Sequence, residues 1–308
     1  MYPNFYSREL ADKIFLPRCQ LIAEAAADAG IAAYRGNDAL FLIDTQIGFC
    51  QPGAGLYVNG AEKDIANISE FIYRNTGNLA KIFLSMDTHH VHQIFFPSFW
   101  RDESGRSPAP YTIIAYDDLL AKRWFPRRDE AWAEAYVRRL EEQGKYQLCI
   151  WPYHTMLGSV DHALQPLLYE ACLYHSLVRG EPLRFVLKGE QPLTENYSVF
   201  APEVELLQTG GKDRSVGVFN RGLAEQLGSY DRIFIAGEAS SHCVKATIED
   251  FLSYAAENNP ELTSRLCILA DCMSPVSPVP GADFPLIAAK ALEDFAAAGA
   301  KVVRSSDY

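Results

Sequence analysis

Cys243 closes the run Gly237-Glu-Ala-Ser-Ser-His-Cys243, which follows the apolar stretch Arg232–Ala236 and precedes Val244, Ile248, Phe251, Leu252 and Ala255 at helical spacing. A serine cap from Ser240 or Ser241 would put the thiol in the first turn of that helix. There the unpaired N–H groups and the helix dipole favour a thiolate, and the same donors can hold a developing oxyanion. A thiol nucleophile also needs a proton acceptor and a counter-charge. Asp44 and Lys188 each stand directly after an apolar run, Ala39–Ile43 and Arg184–Leu187. Asp44 fits the acceptor if desolvation raises its pKa, and Lys188 fits the cation beside both anions. A plain Asp44–Lys188 ion pair would leave the same residues in the sequence.

A second constellation, Asp87-Thr-His89-His90-Val-His92, follows the run Ile82–Met86. In extended chain, residues two apart point to one side, so Asp87 and His89 face together and His90 faces away. One carboxylate with imidazoles suits Zn²⁺, Fe²⁺ or Mn²⁺, but two ligands do not make a site. His154, in Trp151-Pro-Tyr-His154, is the candidate third ligand and His92 a candidate fourth. His162 and His175 lie in helical surroundings and read as structural or surface residues. Among the other cysteines, Cys19, Cys149, Cys172 and Cys267 read as buried packing residues. Cys50 and Cys272 follow strands but have no helix start to activate them. Gly53-Ala-Gly55 is not followed by a helix, so no dinucleotide fingerprint is present, and Gly210-Gly211 reads as a turn.

The elements that must position these groups are short β-rich runs separated by helical patterns. The runs are Ala39–Ile43, Ile82–Met86, Arg184–Leu187, Arg232–Ala236, Leu266–Ala270 and Lys301–Val303. Helical faces include Ile65, Ile68, Phe71 and Ile72, and later Leu286, Ala289, Leu292 and Phe295. Such a pattern predicts a three-layer α/β fold around a mostly parallel, six-stranded, Rossmann-like sheet. The carboxyl ends of its strands face one crevice, where ligands bind. Residues 1–308 read as one domain with two elaborations. The first is an extension, 1–36, with one alanine-rich helix. The second is an insertion, about 98–148, in which Trp132, Tyr136, Val137 and Leu140 share a helical face.

Composition narrows the function further. Lys plus Arg number 28 and Asp plus Glu 39, giving a net charge of −11. That balance argues against nucleic acid or an anionic membrane as partner. The alanine-rich stretch Ile22–Ala33 is broken by Glu24 and Asp28 and is too short to span a bilayer. Seven cysteines without paired spacing argue against a disulfide framework. Together with an amino terminus that lacks a secretory core, these features predict a cytoplasmic protein.

The same segments resemble the isochorismatase-like cysteine hydrolases, and among them the nicotinamidases (pyrazinamidases). The resemblance rests on Asp44-Thr-Gln46-Ile-Gly-Phe49 with GAGLYVNGAE, on DTHHVH, on Ile-Trp151-Pro-Tyr-His154, on Lys188-Gly with Tyr197-Ser-Val-Phe200, and on GEASSHCVKAT. It implies an isochorismatase-like fold with nucleophile Cys243, general acid/base Asp44 and supporting Lys188. It implies an oxyanion hole from the N–H groups of Ala239 and Cys243, beside a cis Glu238–Ala239 peptide. It implies metal ligands Asp87, His89 and His154 for a divalent ion, Zn²⁺ first and Fe²⁺ or Mn²⁺ next. Phe49 and Trp151 stand where the family sandwiches its pyridine ring. The implied reaction is hydrolysis of nicotinamide to nicotinate and ammonia, with a small-molecule amide as partner and the oligomeric state open. Glu238 departs from the pattern, replacing an aliphatic residue beside the oxyanion hole. Two other functions share these residues: another carboxamide or ureido hydrolase of the superfamily, and a catalytically silent binding module.

Overall fold

The computed structural model describes residues 2–29, 36–279 and 282–308. Six strands form the central sheet: β1 Asp38–Ile43, β2 Leu79–Asp87, β3 Arg184–Lys188, β4 Arg232–Gly237, β5 Leu266–Leu269 and β6 Lys301–Val303. All pair in parallel, in the order β6-β5-β4-β1-β2-β3. β1, β5 and most of β2 are buried on both faces, which is why the sequence shows them as unbroken apolar runs rather than alternations. β2 begins at Leu79, earlier than the apolar run Ile82–Met86, because half-exposed Ala80 and Lys81 break that run while pairing continues, Leu79 with Asp38 and Lys81 with Ala39, across a register shift.

The main helices of the described residues are α1 Cys19–Ala29, α2 Ile47–Cys50, α3 Ala61–Asn75, α4 Glu130–Gln143, α5 Pro166–Arg179, α6 Cys243–Asn258 and α7 Phe284–Ala298. α1, α3 and α5 pack together in one layer, and α6 and α7 belong to the other. From β1 the chain steps outward through α3 to β2 and through α5 to β3. It then returns to β4 on the far side of β1 and steps outward through α6 and α7. The direction reverses between β1 and β4, the position where open α/β sheets bind ligands. Phe71 of α3 packs edge-on against Phe234 of β4 at 5.0 Å, and Phe41 of β1 against Phe83 of β2 at 6.1 Å. Each such buried ring contributes about 2–3 kcal/mol of transfer free energy.

The extension is tied down by α1 on α5 and by Arg18, whose guanidinium forks onto the buried Glu170 carboxylate at 3.0 and 2.6 Å; the tail of the Ile22–Ala33 stretch lies partly outside the described residues. Within 98–148, α4 buries Trp132, Ala133, Tyr136, Val137 and Leu140. Two short antiparallel pairs, Trp100–Arg101 with Phe125–Pro126 and Ile113–Ile114 with Leu148–Cys149, close the segment on itself. Gly210-Gly211 is the turn of a hairpin, Leu206–Thr209 with Lys212–Ser215. One helical face differs from expectation. α7 buries Phe284, Ala288, Ala291 and Phe295, while Leu286 is 65% exposed. The i, i+4, i+7 row beginning at Phe284 wins because the aromatic ring, not Leu286, packs on His242 at 4.6 Å. Cys19 is likewise exposed, not a packing residue, because it opens α1 at the surface. No helix among the described residues is long and apolar enough to cross a membrane.

Candidate active site and metal cluster

Asp44 follows the last residue of β1 with φ 48 and is fully buried. Its N–H donates to Ser85 Oγ at 3.0 Å, and that hydroxyl donates back to Asp44 Oδ1 at 2.6 Å. The other oxygen, Oδ2, has no hydrogen bond in line but lies 2.9 Å from Lys188 Nζ as an ion pair. Lys188 ends β3, two strands away, and its ammonium is the hub of the site. It also donates to Asp87 Oδ1 at 2.8 Å, to Asn196 O at 2.8 Å and to Cys243 Sγ at 3.6 Å. Burial alone would push this ammonium down; Asp44, Asp87 and the Cys243 sulfur outweigh it and hold the Lys188 pKa well above its ordinary value.

Cys243 is the first residue of α6, as its helical spacing predicts, but the cap differs. His242 is the N-cap residue and no side chain caps the helix. Ser241 Oγ instead meets His242 Nδ1 at 2.9 Å and accepts the Val276 N–H at 3.1 Å. The serine is therefore spent on holding the neighbouring loop. Burial pushes the Cys243 thiol well up; Lys188 opposes this, and Asp44 and Asp87 add to it. The helix start therefore does not by itself leave a resting thiolate, and the proton must have somewhere to go. Asp44, whose charge bears on the thiol, is raised by burial and by Asp87 against the pull of Lys188. A carboxyl raised in this way can hold a proton, and Lys188 beside it offsets the anion left on sulfur.

The N–H groups of Ala239 and Cys243 find no acceptor among the described residues, and the Glu238–Ala239 peptide is cis. Gly237, before it, has φ 121, and a Cβ there would sit 2.1 Å from Ile43 O. Only glycine lets β4 lie this close to the end of β1.

Asp87 ends β2, and its Oδ2 faces His89 Nε2 at 2.7 Å and His154 Nε2 at 3.6 Å. The three ligand atoms lie within 4.8 Å of one another, all buried. His154 Nδ1 is 2.7 Å from Pro152 O, an acceptor, so that nitrogen carries the proton and Nε2 carries the lone pair. His89 Nδ1 has Gly189 O at 3.2 Å, leaving Nε2 buried without a hydrogen-bond partner. Burial keeps His154 below its ordinary pKa, Asp87 notwithstanding. Burial would push Asp87 up, but His89 and Lys188 hold its carboxyl well below the usual range. Two imidazoles and one carboxylate aimed at a common point form a donor set that fits a divalent transition ion. Gly189, at φ 79, makes room: a Cβ would sit 2.7 Å from His89 Cε1.

His92 is not brought to this point. It sits exposed in the turn after His89, and the chain returns only at Gln93, whose Nε2–H donates to Gly189 O. His90 is exposed as expected. His162 Nε2 is 2.9 Å from Thr88 Oγ1, and buried His175 bonds Leu79 O. Several positioning residues escaped the sequence reading. Gln46 clasps the Asp87 backbone, donating to its carbonyl at 2.9 Å and accepting its N–H at 2.7 Å. Ser85 shares the Asp87 face of β2, a period-two signal that was available. Tyr197 Oη accepts from Trp151 Nε1 at 3.1 Å.

Phe49, Trp151, His154, Tyr197, Ala239 and Cys243 line one small cavity, with the buried carboxyl of Glu195 also in its wall. The Phe49 ring lies 5.3 Å from that of His154. The cavity holds only about 30 Å³, room for about one or two waters. A wider cleft of about 660 Å³, walled partly by Ile113, Lys145 and Tyr146 of the insertion, shares Trp151, Tyr197 and His242 with it.

No family model and no curated protein sequence matches this chain. Solved structures do. A nicotinamidase/pyrazinamidase of Acinetobacter baumanii is 19% identical, covering 89% of this chain and 98% of its own, at a TM-score of 0.55. The yeast nicotinamidase is also 19% identical, over 86% and 99%, at 0.55. An L. infantum protein solved in complex with nicotinate is 19% identical, over 90% and 97%, at 0.51. Across nearly the whole length of those proteins, this chain has the fold of the nicotinamidases.

Proposed function

We propose that this chain is a cysteine amidohydrolase that converts nicotinamide to nicotinate and ammonia. The observation that carries the reading is the position of Lys188 Nζ, within 2.9 Å of Asp44, 2.8 Å of Asp87 and 3.6 Å of Cys243 Sγ. One ammonium joins a nucleophile and its base to a carboxylate of a three-residue metal cluster. A structural ion pair needs no thiol and no imidazoles. The fold it shares with nicotinamidases, one of them solved bound to the inhibitor nicotinaldehyde, supports the substrate.

Asp44 takes the thiol proton, and Sγ attacks the carboxamide carbon. The N–H groups of Ala239 and Cys243 receive the oxyanion. As the C–N bond breaks, Asp44 returns the proton to the leaving nitrogen, which departs as ammonia. Asp44 then removes a proton from water, whose oxygen attacks the thioester; the C–S bond breaks, the thiol is re-formed and nicotinate leaves. Lys188 stays protonated throughout and offsets each anion in turn. Phe49 and Trp151 flank the ring and hold its amide toward Sγ. Asp87, His89 and His154 would hold a divalent ion, Zn²⁺ first and Fe²⁺ or Mn²⁺ next, which when bound supplies a Lewis-acid anchor for the pyridine nitrogen. A ring cannot occupy the cavity as it stands, so Trp151, Tyr197 or His242 must move to admit it from the outer cleft.

Glu195 favours a second reading, a carboxamide or ureido substrate bearing a further polar group. Burial pushes its carboxyl well up, which favours the neutral form, a hydrogen-bond donor toward a ligand. The experiment is ammonia release from nicotinamide before chelation, after it, and after restoring Zn²⁺, Fe²⁺ or Mn²⁺. The expected result is turnover lost on chelation and restored by metal. Metal-loaded protein that spares nicotinamide but hydrolyses a polar amide would replace the first reading by the second.

A further inference from the structure

Glu238 lies between Gly237 of β4 and Ala239, and its carboxyl is buried. Oε2 accepts the Ser274 N–H at 3.2 Å, while Oε1 has no donor among the described residues. The ionisable group that bears most on it is another carboxyl, that of Asp64 on α3, also buried. Asp64 in turn accepts from Ser274 Oγ, and Ser274 O accepts the Ser240 N–H at 2.9 Å. One serine thus ties both carboxyls to the loop that carries the Ala239 N–H. Two buried carboxyls held by one serine, neither in an ion pair with a cation among the described residues, are relieved of their repulsion by one proton between them.

We propose that Glu238 donates a shared proton to Asp64 and that this buried pair is a positioning device for the Ala239 oxyanion donor, released when the proton leaves. The inference rests on the reading of Ala239 and Cys243 as oxyanion donors. The proton sits on Glu238 rather than Asp64, since burial and the neighbouring Asp64 push the Glu238 carboxyl well up, whereas Asp64 is raised by burial only to about 6. Other groups facing the pair are Cys50 on α2, Tyr57 before α3, Glu62 and Lys63 on α3, and Cys272 after β5. Burial keeps both thiols and the Tyr57 phenol protonated at neutral pH. Glu62 reinforces the proton on the pair and Lys63 opposes it. Above the Glu238 pKa two adjacent buried carboxylates repel, and a charge appears beside the site where the oxyanion must form.

The test is the pH profile of kcat, measured on nicotinamide and on p-nitrophenyl acetate, an activated ester that needs Cys243 and the oxyanion donors but no ring site. In the native protein kcat falls about tenfold per pH unit on the alkaline side. Glu238→Gln keeps a donor with no proton to lose, so that limb disappears. Asp64→Asn removes the neighbouring charge, so the limb moves to lower pH by about one unit or more. If both variants keep the native limb on either substrate, the pair has no such role. Ester profiles that behave as expected beside inert nicotinamide would sustain the pair and dismiss the nicotinamide reading. No Cys243-dependent turnover of either substrate would overturn both.

Discussion

Lys188 shows how much chemistry one residue can organise when it is buried. Its charge meets two carboxylates, a carbonyl and a thiol; removing it would leave those carboxylates unpaired in a dry site, a change that typically costs several kcal/mol. Histidines of this chain divide by the same physics. His89 and His154 turn Nε2 toward a carboxylate, whereas His175 spends its Nε2 on Leu79 O inside the α5 layer. Burial pushes His175 down to about 4 from 6.5. A depressed histidine contributes stability that is complete above its unfolded pKa and is lost as pH falls toward the folded one. Between pH 7 and 4 the protein should therefore lose about 3 kcal/mol through this group alone. Urea unfolding of His175→Gln should show a correspondingly flatter pH dependence, and an unchanged slope would contradict the assignment.

At the scale of elements, the strand ends were the legible part of the site. Asp44, Asp87 and Lys188 follow or end apolar runs, and the runs themselves lie within a few residues of the observed strands, because parallel strands buried on both faces leave no polar alternation to confuse them. What was not legible depends on contacts distant in sequence. The serine cap expected for α6 gave way to a loop contact with Val276, and the buried face of α7 was set by where His242 lies. The part played by the insertion was invisible for the same reason. Trp132 Nε1 of α4 donates to Leu193 O at 2.7 Å, and Tyr136 Oη accepts the Glu195 N–H at 2.9 Å. Those bonds steady the loop whose Asn196 carbonyl holds Lys188 and whose Tyr197 holds Trp151. Tyr136→Phe leaves the Glu195 N–H unsatisfied in a buried site, at a cost of about 1–3 kcal/mol. It should lower kcat/KM severalfold while Tm falls only modestly. A variant with native kcat/KM would show that α4 merely covers the loop.

For the whole molecule, the reversal of chain direction between β1 and β4 brings parts distant in sequence, from Asp44 to Cys243, into one crevice. The sheet is thus the device that makes the Cys243 thiol, the Asp44 carboxyl and the Asp87–His89–His154 group neighbours. Residues of the 98–148 segment wall the outer cleft and α1 packs on α5, neither altering the order of strands. The proposed hydrolysis of nicotinamide passes through a thioester on Cys243. Its most direct measurement is ammonia release from nicotinamide by metal-loaded native protein and by Cys243→Ala, run side by side. Multiple turnovers by the native protein and none above background by the variant are predicted. Comparable turnover by both proteins would contradict the covalent mechanism.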